Sequence, residues 1–149
     1  MTSLTLTPHR LTDARVTTEY LLGLKTTDAK RLIDAIERGF SYSALERVRR
    51  ETGLPLSSIA ETIGISPRTL TRRKKEKRLT ASESDRLVSL SRLLSLAIDL
   101  FAGNREKAFR WFIVPSPALG DIAPLEMAGT ETGAREVENL IGRLEYGVF

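Results

Sequence analysis

The sequence has no cysteine, and its only histidine is His9. Without cysteine there can be no disulfide, no thiolate chemistry and no cysteine-ligated zinc site. His9 lies in a polar N-terminal stretch outside any helical pattern, which argues against a histidine-centred active site or metal cluster. The carboxylates are scattered, and Glu136 and Glu138, two residues apart on a helix, face different sides. We therefore expect no catalytic residues, no cofactor and no metal, and we do not expect an enzyme.

Long apolar runs are missing as well. No segment is long and apolar enough to cross a membrane, and residues 1–10 lack the cationic, apolar and small-residue order of a signal peptide. We therefore expect a cytoplasmic protein without a membrane partner. Hydrophobic residues make up 41% of the 149 residues, which is enough to bury a core.

Positive and negative charges are concentrated in different parts of the chain. Residues 68–78 contain seven cations and one acid, whereas residues 111–149 contain six acids and two cations. Such an asymmetry indicates two binding surfaces with different partners. Because a run of cations is often only a solvated helix face, the residues around it decide what it means.

Residues 56–78 have the pattern of a helix-turn-helix. Ala60 is small enough to let two short helices approach closely, and Gly64 permits the left-handed backbone of a tight turn. Ser66 and Pro67 suit the N-cap and the first position of the second helix. A helix-turn-helix places this second helix in the major groove of DNA. The apolar residues that close the corner are Ile59, Ile63, Ile65 and Leu70.

We predict that the second helix contacts operator double-stranded DNA. Residues near its start are candidates for base edges, and the cations that follow are candidates for the phosphate backbone. Arg73 occupies a position where the common pattern has an inward apolar residue. Either its stem packs while its guanidinium reaches a phosphate, or the helix is rotated. A plain helical hairpin with a solvated basic face is the alternative. The predicted DNA-binding residues are Ser66, Arg68, Thr69, Arg72, Arg73, Lys74 and Lys75.

Helical patterns cover most of the remaining chain, and no stretch alternates polar and apolar residues as a strand does, so we predict an all-α fold. A short helix is expected over residues 18–24, and a second helix from Thr26 or Thr27. Capping boxes are predicted at Ser43–Glu46 and Thr80–Glu83. The second helix is predicted to turn Ala29, Leu32, Ile33 and Ile36 inward, and later helices are predicted to start at Asn104, Pro124 and Thr130.

The helix from Ala81 to about Ala102 is apolar around most of its girth and must be covered on several sides. We expect both flanking helices and a second copy of the chain to cover it, because helix-turn-helix proteins commonly dimerise to read enough DNA. The predicted divisions are a flexible arm (1–15), a helix-turn-helix domain (16–79), a linking and dimerisation helix (80–102) and a small helical C-terminal domain (103–149).

The C-terminal domain carries two candidate contact features. Trp111 is the aromatic residue best suited to a partner surface, since tryptophan combines apolar area with a polar N–H. The sequence ends in Tyr146, Gly147, Val148 and Phe149, an apolar segment with a flexible joint. Such a segment either packs on its own domain or inserts into a partner, and the residues alone leave both possibilities open.

Three segments resemble the Xre/MbcA/ParS antitoxin family, and the resemblance spans about residues 40–149. They are RTLTRRKKEKRLTASESDRL, LAIDLFAGNREKAFRWF and PSPALGDIAPLEMAGTETGAREVENLIGRLEYGVF. Ser116 and Asp121 depart from the family pattern within a loop. The matching positions are Lys107, Ala108, Trp111, Pro117, Leu119, Gly120, Pro124, Leu125, Thr130, Glu131, Gly133, Val137, Leu140, Tyr146 and Gly147.

The resemblance implies an antitoxin of a type II toxin–antitoxin system, with residues 103–149 as its toxin-binding domain. In that family the usual partner is a RES-domain toxin that degrades NAD⁺. The C-terminal end of the antitoxin covers the entrance to the toxin's active site, and the complex represses its own operon. Carried onto this chain, the toxin-binding residues are Trp111, Glu145, Tyr146, Gly147, Val148 and Phe149.

Two other interpretations remain open. A stand-alone repressor would use the C-terminal domain to bind a small effector and would have no toxin partner. A structural adaptor would leave the basic helix idle, so its DNA affinity would not respond to salt as counterion release requires.

Overall fold

The computed structural model describes residues 16–25 and 28–147, and within these ranges it contains nine α-helices and no β-strand. The predicted all-α fold is therefore confirmed. The predicted arm, residues 1–15, lies outside the described residues. The helices are α1 (Thr18–Leu22), α2 (Ala29–Arg38), α3 (Tyr42–Thr52), α4 (Leu56–Thr62), α5 (Pro67–Glu76), α6 (Ala81–Leu100), α7 (Arg105–Ile113), α8 (Pro124–Met127) and α9 (Glu131–Glu145), with a 3₁₀ turn at Pro117–Leu119.

Most helix starts follow local capping chemistry. At the start of α6, the Thr80 side chain accepts a hydrogen bond from the Glu83 backbone N–H, and the Glu83 carboxylate accepts one from the Thr80 N–H. This reciprocal pair is the predicted capping box. Asn104 and Thr130 likewise accept from the third residue of α7 and α9. These three predicted starts are confirmed.

Two predicted starts are wrong by a few residues. Asp28, rather than Thr26 or Thr27, caps α2, and its side chain accepts from the Lys30 N–H. The capping box at Ser43–Glu46 does not form, because α3 already begins at Tyr42 and is capped by Ser41. A contact with a distant part of the chain contributes to this earlier start. The Tyr42 N–H donates to the Lys77 carbonyl, which holds the first residue of α3 in place.

The core of the protein forms around α6. This helix packs against α1, α2, α7 and α9, so neighbours from both ends of the chain cover it. A single cluster of buried apolar side chains runs from Val16 in the N-terminal part to Ile141 in α9. Burial of this much apolar surface is the main favourable contribution to stability. The buried α6 members are Leu87, Leu90, Leu93, Leu94, Ala97 and Ile98.

Helix α2 departs from its predicted packing. Leu32 and Ile36 are half-buried against the core, but the side chain of Ile33 is 53% exposed. Successive residues rotate by about 100° around a helix, so Ile33 lies about 80° from the line that Leu32 and Ile36 direct at the core. The inward orientation predicted for Ile33 is therefore wrong, and so is that predicted for Ala29, which is also exposed.

The segment after α5 is held against the segment before α3. The Leu79 N–H donates to the Phe40 carbonyl at 2.9 Å, beside the Tyr42–Lys77 bond. Gly39 is required at this crossing, because it has φ +84° and any side chain there would collide with the Leu79 carbonyl. The chain entering α6 is therefore fixed to the chain entering α3.

Ser84 completes this crossing from α6. Its buried hydroxyl accepts a hydrogen bond from the Phe40 N–H at 2.8 Å and donates to the Thr80 carbonyl at 2.7 Å. Ser91, two turns later on the same helix, is equally buried, but among the described residues its hydroxyl has no partner. The two serines therefore share burial and differ in hydrogen bonding.

We expect Ser84→Ala to lower the free energy of unfolding by about 1–3 kcal/mol, because it leaves the buried Phe40 N–H without an acceptor. Ser91→Ala is the matched control and should change it by less than about 0.5 kcal/mol, since no bond is lost. Urea denaturation of both variants measures the difference. Equal destabilisation of the two would contradict the role given to Ser84.

Candidate nucleic-acid interface and C-terminal surface

Helix α5 extends from the body of the protein on a tight turn. The turn residue Gly64 has φ +85°, and Ile59, Ile63 and Ile65 around it are buried. The Ser66 side chain accepts a hydrogen bond from the Thr69 N–H at 3.2 Å, and Pro67 follows at the first helical position. These features match the predicted helix-turn-helix. Because α5 is held from one side by α4, its opposite face is free for a ligand.

The exposed face of α5 carries a strip spaced i, i+3, i+4 and i+7, which places its members on one side of a helix. Arg68, Arg72 and Lys75 were predicted as DNA contacts and lie on this strip, which we call the α5 strip. Thr71 is its fourth member and was missed, although the same helical spacing was already visible in the sequence. The α5 strip therefore consists of Arg68, Thr71, Arg72 and Lys75.

Thr69 and Lys74 lie beside this strip. Thr69 is half-buried, and its hydroxyl accepts a hydrogen bond from the Ser66 hydroxyl at 3.1 Å, so Ser66 and Thr69 form the N-terminal corner of the helix. Lys74 is exposed. The DNA contacts predicted for Ser66, Thr69 and Lys74 remain predictions.

Arg73 faces away from the α5 strip. Its guanidinium Nε donates to Glu83 Oε1 at 2.8 Å, and its Nη1 donates to Glu76 Oε1 at 3.2 Å. The Arg73 and Glu83 side chains are only 12% and 11% exposed. Neither of the two arrangements predicted for Arg73 describes this pairing, in which a carboxylate of α6 takes the place of a phosphate. We therefore assign Arg73 to holding α5 in place.

The Glu83 carboxylate is stabilised in its charged form. Burial alone would raise the pKa of Glu83, but the hydrogen bonds from Arg73 and from the Thr80 N–H outweigh it and lower the pKa below its ordinary value. The same bond to Glu83 raises the pKa of Arg73. One carboxylate oxygen thus joins the end of the basic helix to the start of α6.

The two residues after α5 serve the chain crossing. Arg78 donates to the carbonyls of Arg38 and Gly39, at 3.2 and 2.7 Å, and so closes the C-terminus of α2. Lys77 ends α5 in the left-handed conformation, with φ 63°, and its carbonyl accepts the Tyr42 N–H. Arg78 therefore contributes to structure rather than to the α5 strip.

In the C-terminal part, α7, α8 and α9 enclose a cluster of aromatic side chains. Phe109 and Phe112 are buried, whereas Trp111 is half-buried between the rings of Phe101 and Phe112. The ring centroids lie 6.2 Å and 5.6 Å from that of Trp111. Trp111 thus belongs partly to the core, and it keeps some surface for a partner.

The chain becomes exposed at the C-terminal end of α9, directly after Leu144, which still packs against the core. Tyr146 is 80% exposed, and Gly147 has φ +69° and is exposed. Glu145 is exposed too. The predicted contacts Val148 and Phe149 lie outside the described residues. From Glu145 to Gly147, the chain is therefore exposed rather than packed back on its own domain.

Three polar contacts connect the N-terminal and C-terminal parts. Arg105 of α7 pairs with Glu51 of α3 at 3.1 Å. The Thr62 hydroxyl of α4 donates to the Leu125 carbonyl at 3.2 Å. Arg92 of α6 donates through both terminal nitrogens to the Glu138 carboxylate of α9, each at 2.8 Å, and this contact lowers the pKa of Glu138. The first two contacts link α3 and α4 with the C-terminal helices.

No group of three or more histidine, aspartate or glutamate side chains within residues 16–25 and 28–147 is arranged to hold a metal ion. No helix in them has the length and apolarity needed to span a membrane.

A basic helix on a tight turn, joined through a shared core to a second helical bundle, defines a helix-turn-helix DNA-binding protein with an added helical domain. The comparison with known families agrees with this class. Residues 31–92 match the antitoxin Xre-like helix-turn-helix domain, and residues 96–147 match the antitoxin Xre/MbcA/ParS C-terminal toxin-binding domain. The two matches meet within α6.

Whole proteins of the same kind are similar to this chain. A protein named antitoxin Xre from Yersinia enterocolitica is 40% identical over 129 residues, which cover 86% of this chain and 87% of the relative. An antitoxin Xre from Photorhabdus laumondii is 32% identical over 128 residues, which cover 85% and 86%. The chain belongs to the Xre family of antitoxins.

We expect Arg72→Ala to weaken DNA binding by about 1–3 kcal/mol without changing the melting temperature, because the side chain lies exposed on the α5 strip. Arg73→Ala should instead lower the free energy of unfolding by about 2 kcal/mol, because it leaves the Glu83 carboxylate buried without its cation. A salt-titrated DNA-binding assay and thermal unfolding separate the two effects. Normal stability of Arg73→Ala would contradict the assigned role.

The Glu83 carboxylate should also make stability depend on pH. Because its pKa is lower in the folded than in the unfolded chain, its contribution is present above the unfolded pKa and disappears as the pH falls through the folded pKa. Glu83→Gln keeps a capping-box side chain but removes this titration. Urea denaturation between pH 7 and pH 3 should show a shallower loss of stability for Glu83→Gln than for the wild type. Parallel curves would contradict the lowered pKa.

Proposed function

We propose that this antitoxin neutralises a RES-domain toxin that degrades NAD⁺, and that it represses its own operon through α5. The observation that carries the first part is the exposed segment after Leu144, which contains a large aromatic side chain, Tyr146. An exposed apolar end is typical of an interaction site. The resemblance in sequence supplies the chemical class of the partner.

Neutralisation then works by obstruction. The end of α9, Glu145 to Gly147, projects from the protein and continues into Val148 and Phe149. In the proposed complex this end, which we call the C-terminal tip (Glu145–Phe149), lies in the entrance of the toxin's active site and excludes the dinucleotide. The acid Glu145 and the aromatic Tyr146 suit a cavity lined with cations for phosphate groups. The exposed part of the Trp111 side chain in α7 adds contact area.

Repression works by charge and shape. A homodimer places two α5 helices in successive major grooves, about one helical turn apart. Arg68 and Arg72 contact base edges, and Lys74 and Lys75 contact phosphates and release counterions. The support for this assignment is the α5 strip, whose three cations face away from the body of the protein.

The expected result of deleting residues 146–149 is loss of neutralisation with DNA binding retained, because the deletion removes all of the tip except Glu145 and no part of α5. The measurement is growth and NAD⁺ content of cells that express the neighbouring toxin gene with the truncated or full-length antitoxin. Arg72→Ala is the matched control, since it should protect cells while binding operator DNA more weakly.

Full protection by the truncated protein would contradict obstruction by the tip. A purified protein that forms no stoichiometric complex with the product of the neighbouring gene, and that releases DNA on addition of a small molecule, would instead identify a stand-alone repressor.

A further inference from the structure

Helix α9 contains two glycines, and only one of them is explained by the fold. Any side chain at Gly133 would collide with the Met127 carbonyl, so close packing requires glycine there. A β-carbon at Gly142 would meet no atom of the described chain within 4 Å apart from neighbouring backbone of its own helix. Gly142 does not have a positive φ either. A glycine inside a helix costs about 1 kcal/mol relative to alanine, and nothing within the described chain accounts for this cost.

Gly142 lies on an exposed strip of α9. Arg135, Asn139, Gly142 and Tyr146 are spaced i, i+4, i+7 and i+11, which places them on one side of the helix, and we call them the α9 strip. Arg135, Asn139 and Tyr146 are exposed, while Val137, Leu140 and Ile141 on the opposite side are buried. Gly142 is half-buried, and it lies between Asn139 and Tyr146 without adding a side chain to the strip.

We propose that the α9 strip is a docking surface for the toxin, and that Gly142 is the point where the toxin backbone approaches closest. A glycine permits an approach that any larger residue would block. This inference rests on the proposed function, and it extends the contact from the C-terminal tip back along two turns of α9. The toxin therefore contacts the α9 strip on the side of the helix in addition to the C-terminal tip.

Continuity with the tip identifies the occupant. Tyr146 belongs to both surfaces, since it follows Gly142 by four residues on the strip and is also part of the C-terminal tip. A protein that receives the tip must lie beside the last turn of α9. DNA does not fit the strip, because its single cation, Arg135, already lies 3.4 Å from Glu131 in an ion pair. The strip also lies within residues 96–147, which match the toxin-binding domain.

The test uses Gly142→Ala and Gly142→Gln in the full-length protein. Both replace glycine with a better helix former, so we expect the melting temperature of the free protein to rise by about 3 °C. We expect toxin affinity to fall about tenfold for Gly142→Ala and further for Gly142→Gln, because the added side chains occupy the space of the toxin backbone. Glu136→Ala is the matched control, since it changes an exposed α9 position about a quarter turn away and should leave affinity unchanged.

The measurements are thermal unfolding, calorimetric titration with the product of the neighbouring toxin gene, and light scattering for the oligomeric state. Wild-type toxin affinity of Gly142→Gln would overturn the role of the α9 strip as a docking surface. In that case the obstruction by the tip still stands if the protein truncated at residue 145 fails to neutralise the toxin. A changed oligomeric state in Gly142→Gln with unchanged toxin affinity would assign the strip to a second antitoxin copy and overturn the proposal. Absence of binding by the wild type would overturn the proposed function and this inference together.

Discussion

The burial of α6 on several sides is the constraint on which the rest of the structure depends. Its apolar residues cannot be satisfied by the N-terminal helices alone or by the C-terminal helices alone, so both sets pack on it at once. Burial of apolar surface then forces the helix-turn-helix and the toxin-binding helices into one core. The polar contacts Glu51–Arg105 and Thr62–Leu125 help to fix how the two sets of helices are oriented, because the hydrophobic effect alone is not directional.

A small set of polar contacts connects this core to α5, the basic helix of the helix-turn-helix. Helix α5 has few neighbours, and its exposed face must remain free, so its orientation depends on a small number of contacts. Glu83 supplies one of them, because its carboxylate caps α6 and at the same time binds Arg73 on the far side of α5. The crossing of Phe40 and Leu79 fixes the chain that follows. The basic helix is thus exposed to solvent while these contacts hold its orientation.

Much of this arrangement could be predicted from the sequence, because its causes are local. The Thr80–Glu83 capping box, the turn at Gly64 and the cap at Ser66 each depend on residues within a few positions of one another. The start of α3 could not be predicted in the same way, since the bond from Tyr42 to Lys77 spans the whole helix-turn-helix. The exposure of Ile33 is likewise decided by where α6 lies.

The candidate sites show the same division. The α5 strip follows from helical spacing, and Thr71, which lies on it, could be missed because its side chain carries no charge. Arg73 was recognised as unusual from its position, but its partner Glu83 belongs to another helix and became visible only in the folded chain. The role proposed for Gly142 could not be predicted from the sequence, because it depends on the empty space around this residue, in contrast with the crowded Gly133.

The sharing of α6 also limits how such proteins can exchange parts. The two family matches meet inside this helix, between residues 92 and 96, yet the side chains on both sides of that point enter one core. A recombination event at this junction joins an α6 half from one parent to packing partners from another. Chimeric antitoxins with a new DNA specificity should therefore keep α6 and α9 from the same parent and exchange the segment that contains α4 and α5.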